Sequence, residues 1–190
     1  LKSVFARCLE TPIGQVLTVT DSHDRLKVLV MNDSKTVASL EKSYHKLGFH
    51  WQWDDGSADH VKTQLEAYFQ GGLRDFDLEV EPEGTPFQRK VWAELRRIPH
   101  GEVISYGTLA RRIGQPTAAR GVGAANGANP IFIVVPCHRV VGSNGSLTGF
   151  ACGLDVKAKL LCLEGHRIRD GAKPKMRDFP VPENPGLFDE

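Results

Sequence analysis

At 190 residues with 41% apolar content, the chain has room for one large domain or two small ones; its longest apolar run, Ile131-Phe132-Ile133-Val134-Val135, is far too short to span a bilayer. The cysteines Cys8, Cys137, Cys152 and Cys162 form neither a C-x-x-C pair nor a zinc spacing, which argues against a disulfide framework and a zinc module. The net charge of +1 divides into −5 over 1–84, +5 over 85–125 and +1 over 126–190, so the middle block is a candidate anion-facing surface, with a solvated helix face as the alternative.

The first 80 residues read as mixed α/β. Val4–Leu9, Gln15–Thr20 and Leu26–Met31 have strand composition, joined by turns at Pro12-Ile13-Gly14 and Asp21–Asp24. Val37, Leu40, Tyr44 and Leu47 follow helical spacing, and Gly48 is a stop. His50–Trp53 reads as a short strand. Val61, Leu65, Tyr68 and Phe69 mark a second helix ended by Gly71-Gly72. No convergent set of catalytic residue types occurs here, so residues 1–80 are expected to be an α/β scaffold domain.

Glu79–Gly84 is a charged connector, and a second domain is expected over 85–169. Thr85-Pro86-Phe87-Gln88 has the pattern of a capping box, with Thr as cap, Pro first and Gln third. Phe87, Val91, Leu95 and Ile98 give that helix an apolar stripe, and Pro99 and Gly101 end it. Ser105 can cap a helix over Tyr106–Ile113 with Gly114 as stop, and Thr117 can cap another over Ala118–Ala125. Two short helices across a tight turn predict a helix-turn-helix. The second carries Ala118, Ala119, Gly121, Gly123, Ala124 and Ala125 around a lone Arg120. Such small residues allow close approach either to a ligand surface or to the rest of the protein. Ile131–Val135 reads as a buried strand stopped by Pro136, Gly142–Gly153 as a polar loop, and Leu154–Leu163 as a helix with Leu154, Ala158 and Leu161 on one face. Residues 170–190 are polar and Pro-rich, and a loosely held tail is expected.

The chemistry gathers at Cys137. A thiol attacks as its thiolate, which calls for a nearby positive charge, hydrogen-bond donor or base. Cys137 stands after the expected strand, with His138 and Arg139 beside it. In an extended chain Cys137 and His138 point to opposite sides, so pairing them requires a turn at Pro136 or a bridging water. Glu164, at the end of the next helix, is the carboxylate best placed to orient the imidazole. From the residues alone, a buried structural cysteine remains the alternative.

Ile133-Val134-Val135-Pro136-Cys137-His138-Arg139-Val140-Val141 resembles the active-site signature of the O6-alkylguanine-DNA alkyltransferases. Gly101–Tyr106 and Arg120-Gly121-Val122-Gly123 resemble that family's helix-turn-helix, and Asn129-Pro130 and Glu164-Gly165-His166-Arg167 fall at its spacing. The resemblance is strong from about Thr85 to Arg169 and weaker over 1–80. It implies an RNase H-like α/β domain followed by a mostly α domain of helix-turn-helix, winged-helix-like type.

It also implies a function: suicidal repair of DNA, with an alkyl group passing irreversibly from O6-alkylguanine, and also from O4-alkylthymine, to Cys137 after base flipping. By the same resemblance His138 takes the thiol proton through a water, Glu164 holds His138, and Tyr106 donates to the departing base. Asn129 buttresses the turn between the DNA-binding helix and the active site. Arg120 fills the gap left by the flipped nucleotide, and Ala119 and Gly121 let its helix lie in the minor groove. Gln88, Gln115 and Ser143 meet the phosphodiester backbone, and Val140, Phe150 and Ala151 form the base pocket. Phe150 departs from the tyrosine common in relatives, which keeps stacking and loses a hydroxyl, and Cys152 is an unusual thiol in the pocket loop.

No cofactor or metal is expected. The expected partner is double-stranded DNA, with no membrane. The expected state is a monomer, cooperative on DNA, in the cytoplasm with the nucleoid if bacterial or in the nucleus if eukaryotic. Asn184-Pro185-Gly186-Leu187-Phe188 suggests a sliding-clamp peptide, with folding back of Phe188 or plain disorder as alternatives. Three other functional readings share parts of the pattern. A lesion-binding relative would lack the acceptor cysteine. A cysteine hydrolase would need an oxyanion hole and no basic helix-turn-helix. A DNA-binding regulator would carry a cysteine-rich zinc module, which these residues do not contain.

Overall fold

A computed structural model describes residues 2–168. The tail over 170–190, its Leu187-Phe188 pair and Arg169 lie outside the described residues. The chain divides into two compact units between Glu83 and Gly84.

The first unit is built on a four-stranded sheet in the order β3-β2-β1-β4, from β1 (Lys2–Leu9), β2 (Val16–Asp21), β3 (Leu26–Met31) and β4 (Phe49–Trp53). The first three strands form an antiparallel meander, and β4 returns parallel to β1, with Val4 opposite Trp51. A parallel return requires a crossover, and α1 (Ser34–Lys46) supplies it. Asp33 caps α1 by accepting from the Thr36 amide. Val4, Ala6, Leu17, Val19 and Val28 pack with Tyr44 of α1 and Trp51 into one core. Each of these valines and Leu17 contributes about 1.5–3 kcal/mol by leaving water. A second helix, α2 (Asp59–Phe69), buries Val61, Leu65, Tyr68 and Phe69. Leu47 departs from its expected place on the helical stripe. It follows the last turn of α1 as the C-cap, where the chain turns toward Gly48, and is 57% exposed. The connector is also more ordered than its charge suggests. The Leu26 amide donates to Glu79 O and the Glu81 amide to Leu26 O, while Lys27 pairs with Glu81 and Glu83 at 3.2 and 3.1 Å.

The second unit opens with α3 (Pro86–Leu95), started by a full capping box between Thr85 and Gln88. Val91, Leu95 and Ile98 are buried, whereas Phe87 is half-buried. Trp92 joins the buried face, and its indole nitrogen donates to Ala125 O at 2.8 Å, tying α3 to α5 (Ala119–Gly127). Ser105 caps α4 (Tyr106–Arg112) by accepting from the Thr108 amide at 3.1 Å. Thr117 does not cap α5; the helix starts one residue later than expected, after Ala118, and lacks a side-chain cap. A short parallel pair joins β5 (Ile104–Ser105) to β6 (Val140–Val141).

The expected strand over Ile131–Val135 is instead a series of buried turns. Asn129 brackets it: Oδ1 accepts from the Ile131 amide at 3.0 Å and Nδ2 donates to Val135 O at 2.8 Å. These bonds satisfy polar groups that a strand would have paired with a neighbour. The β-branched Ile133 is held at φ 71°, a conformation that costs a non-glycine residue on the order of 1–3 kcal/mol. The last helix, α6 (Leu154–Leu163), has the expected limits but a different inward face. Leu154 is 43% exposed, while Lys157 is buried along with Ala158, Leu160, Leu161, Cys162 and Leu163.

Candidate active site

Pro136 ends the buried turns, and Cys137–Arg139 then form one turn of 3-10 helix leading into β6. This turn removes the opposition of side chains that an extended chain would impose on Cys137 and His138. Its three residues are buried, with Cys137 4% exposed. The thiol is therefore less accessible than a loop position implies. Asn126 of α5 donates from Nδ2 to Cys137 O at 3.3 Å, so α5 and the thiol-bearing turn are directly tied.

Behind Cys137 lies a closed set of charges. His138 Nε2 is 2.8 Å from Glu164 Oε1. Arg139 grips the same carboxylate in two places, Nε to Oε2 at 2.8 Å and Nη2 to Oε1 at 2.9 Å, and donates from Nη1 to Ile98 O at 2.6 Å. The Gly101 amide approaches Oε2 at 3.4 Å. Burial would raise the Glu164 carboxyl, but the neighbouring His138 and Arg139 hold it well below the usual carboxylate range. Burial pushes His138 below its ordinary value against the pull of Glu164. The ion pair is therefore Arg139–Glu164, and a neutral imidazole donates to the same carboxylate from Nε2. That tautomer leaves the lone pair on Nδ1, which is buried and makes no hydrogen bond among the described residues.

Burial pushes the Cys137 thiol up to about 12, with Cys152 adding to the rise and Asn129 and Lys157 opposing it. The resting sulfur is therefore a thiol, and attack requires removal of its proton as the reaction proceeds. Tyr106, at the start of α4, donates its hydroxyl to Thr148 O at 3.1 Å, and burial raises its ionisation above the ordinary value. A Cβ at Gly123 would lie 3.8 Å from Tyr106 Cδ1, and one at Gly121 would lie 3.5 Å from the Phe87 ring. The small residues of α5 thus serve internal packing as well as leaving an open outer face.

Cys137, His138, Glu164 and Val140 are gathered around the 3-10 turn and β6, and Asn129 supports the preceding turns. Phe150 is half-buried, Ala151 is exposed, and Ser143 is exposed in the 142–153 loop. Arg120 and Gly121 are exposed on α5 beside a half-buried Ala119, and Gln115 is exposed ahead of that helix. The Gln88 side chain is engaged in the capping box. Among the described residues no group of three or more His, Cys, Asp or Glu is arranged to hold a metal.

Three residues of this site carry little signal in the sequence. Arg139 reads there only as a neighbour of Cys137. Asn126 sits among small residues, where a buried polar side chain is itself a signal. Lys157 interrupts an apolar stripe, a signal usually assigned to solvent.

The sequence family described as 6-O-methylguanine DNA methyltransferase, DNA binding domain, matches residues 86–166, and the ribonuclease-like domain of the same methyltransferase matches 4–82. A methylated-DNA–protein-cysteine methyltransferase of Methanosarcina acetivorans is 46% identical over 85% of this chain and 99% of its own length. One from Methanosarcina barkeri is 57% identical over 85% of this chain and 97% of its own. Among solved structures, Mycobacterium tuberculosis OGT in complex with DNA superposes with a TM-score of 0.72 at 42% identity, over 85% of this chain and 92% of that one.

Proposed function

The chain belongs to the 6-O-methylguanine DNA methyltransferase family and repairs DNA by moving an alkyl group onto a cysteine, and from that premise we propose that the cysteine is Cys137. The observation that carries this reading is the buried relay from Glu164 through His138 to the turn that bears Cys137. His138 Nδ1 takes the thiol proton, directly or through a water, as sulfur attacks the alkyl carbon. The sulfur–carbon bond forms, the carbon–O6 bond breaks, and the electron pair moves to the guanine. Tyr106 supplies a proton to the departing base and recovers one from solvent. The product is a thioether, so each molecule acts once.

An alkyl group on O6 lies inside the duplex stack, so the base is flipped into the protein at a cost of a few kcal/mol. Arg120, exposed on α5, fills the vacancy, and Ala119 and Gly121 keep the helix slim enough for the minor groove. Gln115 and Ser143, both exposed, meet the phosphates. Gln88 takes the same role only if its amide NH2 reaches outward while Oε1 stays in the capping box. Val140, Phe150 and Ala151 receive the base. In this reading the first unit is RNase H-like, the second is a winged-helix-like helix-turn-helix, and the protein acts as a monomer.

Intact mass after mixing with duplex DNA containing O6-methylguanine tests the assignment. One methylene is gained per molecule, and peptide mapping places it on Cys137. An unchanged mass, a methyl on Cys152 or Cys162, or transfer beyond one equivalent overturns it.

A further inference from the structure

Among the described residues two lysines are buried, Lys27 and Lys157, and they are treated differently. Lys27 is flanked by Glu81 and Glu83. Lys157 is 0% exposed, and among the described residues no carboxylate lies within ion-pair distance of it. Its Nζ donates to Val140 O at 2.5 Å and Thr148 O at 2.9 Å. The same Nζ stands 6.0 Å from the centre of the Tyr106 ring and 5.9 Å from that of Phe150. With Arg139 neutralised by Glu164 and His138 held uncharged, Lys157 leaves this interior with one positive charge in excess. Burying an unpaired ammonium costs several kcal/mol, and methionine would fill the same space without that cost.

We propose that Lys157 is a positioning residue for alkyl transfer: its ammonium is the standing counter-charge to the thiolate that forms at Cys137, and its two carbonyl contacts tie the 142–153 loop to β6. The inference rests on Cys137 as the acceptor. The reaction creates the charge that the resting site lacks. When the thiol proton passes to His138, the negative charge appears on sulfur, and it moves to the guanine as the carbon–O6 bond breaks. Lys157 lies against Tyr106 and Phe150, the two rings that would flank that base, and so faces the charge along its path. The titratable groups that face it are Cys137 and His138 from the 3-10 turn and Tyr106 from α4, with Cys152 acting on Cys137 from the loop. Burial lowers Lys157 to about 8, and the Cys137 sulfur pulls it the other way.

The Thr148 carbonyl accepts from both Lys157 Nζ and the Tyr106 hydroxyl. When Tyr106 turns its hydroxyl to a base, Lys157 stays on that acceptor. The loop then holds its position while the proton donor moves.

The test uses the full chain, Lys157→Met and Lys157→Gln, and free O6-benzylguanine as the probe. Rates of Cys137 alkylation are followed from pH 6 to 10, with thermal melting as the check on folding. In both variants the rising limb moves to higher pH by about one unit or more, and the rate at neutral pH falls on the order of tenfold. Variants that fold but keep the wild-type pH profile overturn the proposal, because a purely structural lysine would lower the rate without moving the profile. The wild type provides a measurement that needs no variant. Its rate turns down as Lys157 loses its proton near 8, since Tyr106 ionises too high to cause such a fall. A rate that climbs through pH 10 overturns the proposal, whereas alkylation at another cysteine refutes the Cys137 assignment itself.

Discussion

Replacing Glu164 by Gln probes the charge set behind Cys137 while preserving its shape. Glu164 accepts from His138 at 2.8 Å, from Arg139 at 2.8 and 2.9 Å, and from the Gly101 amide at 3.4 Å. A glutamine offers one acceptor oxygen, and its NH2 group must face N–H donors. Arg139 then remains buried and charged, with Ile98 O and at most the one glutamine oxygen to accept from it. Breaking a buried pair from one side costs about 3–5 kcal/mol, so Glu164→Gln should lose that much stability in urea at pH 7. The double variant Glu164→Gln, Arg139→Met removes both charges. It should be less destabilised than the sum of the two single variants by at least about 1 kcal/mol. The pH dependence has a fixed sign. A depressed folded value means the Glu164 contribution is fully present above the ordinary carboxyl value of 4.5 and is lost as pH falls through the folded value. The gap between wild type and Glu164→Gln should therefore close on acidification from about pH 4.5 downward. A single variant within about 1 kcal/mol of wild type at pH 7, or strict additivity of the double, would refute the idea that this carboxylate neutralises a buried cation.

Arg120→Ala should slow repair of O6-methylguanine in duplex DNA on the order of tenfold, yet leave the rate with free O6-benzylguanine nearly unchanged; equal losses on both substrates would make Arg120 structural. Tyr106→Phe should slow both substrates by about a hundredfold, the lower range for a lost general acid, as read by single-turnover kinetics. Burial holds His138 neutral and below its ordinary value of 6.5, so the unfolded chain takes up a proton that the folded chain refuses. Stability in urea should therefore fall as pH drops below about 6.5, and a flat profile from pH 7 to 5 would contradict a neutral His138.

Elements specified by contacts within a few residues were legible in the sequence. Thr85 and Gln88 write the start of α3, Ser105 that of α4, and strand composition between turn residues writes the first three strands. The failures have a common physical form. Ile131–Val135 is apolar because it is buried, and burial alone does not distinguish a strand from a set of turns. What decides is Asn129, which supplies from its side chain the hydrogen bonds that a neighbouring strand would otherwise provide. Thr117 has the composition of a cap, but its helix starts at Ala119 without one.

The candidate site divides the same way. Cys137, His138 and Glu164 were identifiable because a nucleophile, a base and a carboxylate are chemical types that can be sought by name. Arg139 and Lys157 are cations, and a cation in a helix or beside a loop defaults to solvent in any sequence reading. Their burial depends on acceptors far away in the chain. Arg139 reaches Ile98 O and Glu164, and Lys157 reaches Val140 O and Thr148 O. The two cations differ in what they meet. Arg139 finds a carboxylate and becomes part of the frame that fixes the imidazole. Lys157 finds carbonyl oxygens, which hold an ammonium in place without cancelling its charge. A site so arranged is electrostatically incomplete at rest, and negative charge on sulfur completes it. That same incompleteness is consistent with a sulfur that stays protonated in the resting protein and ionises as the transfer proceeds.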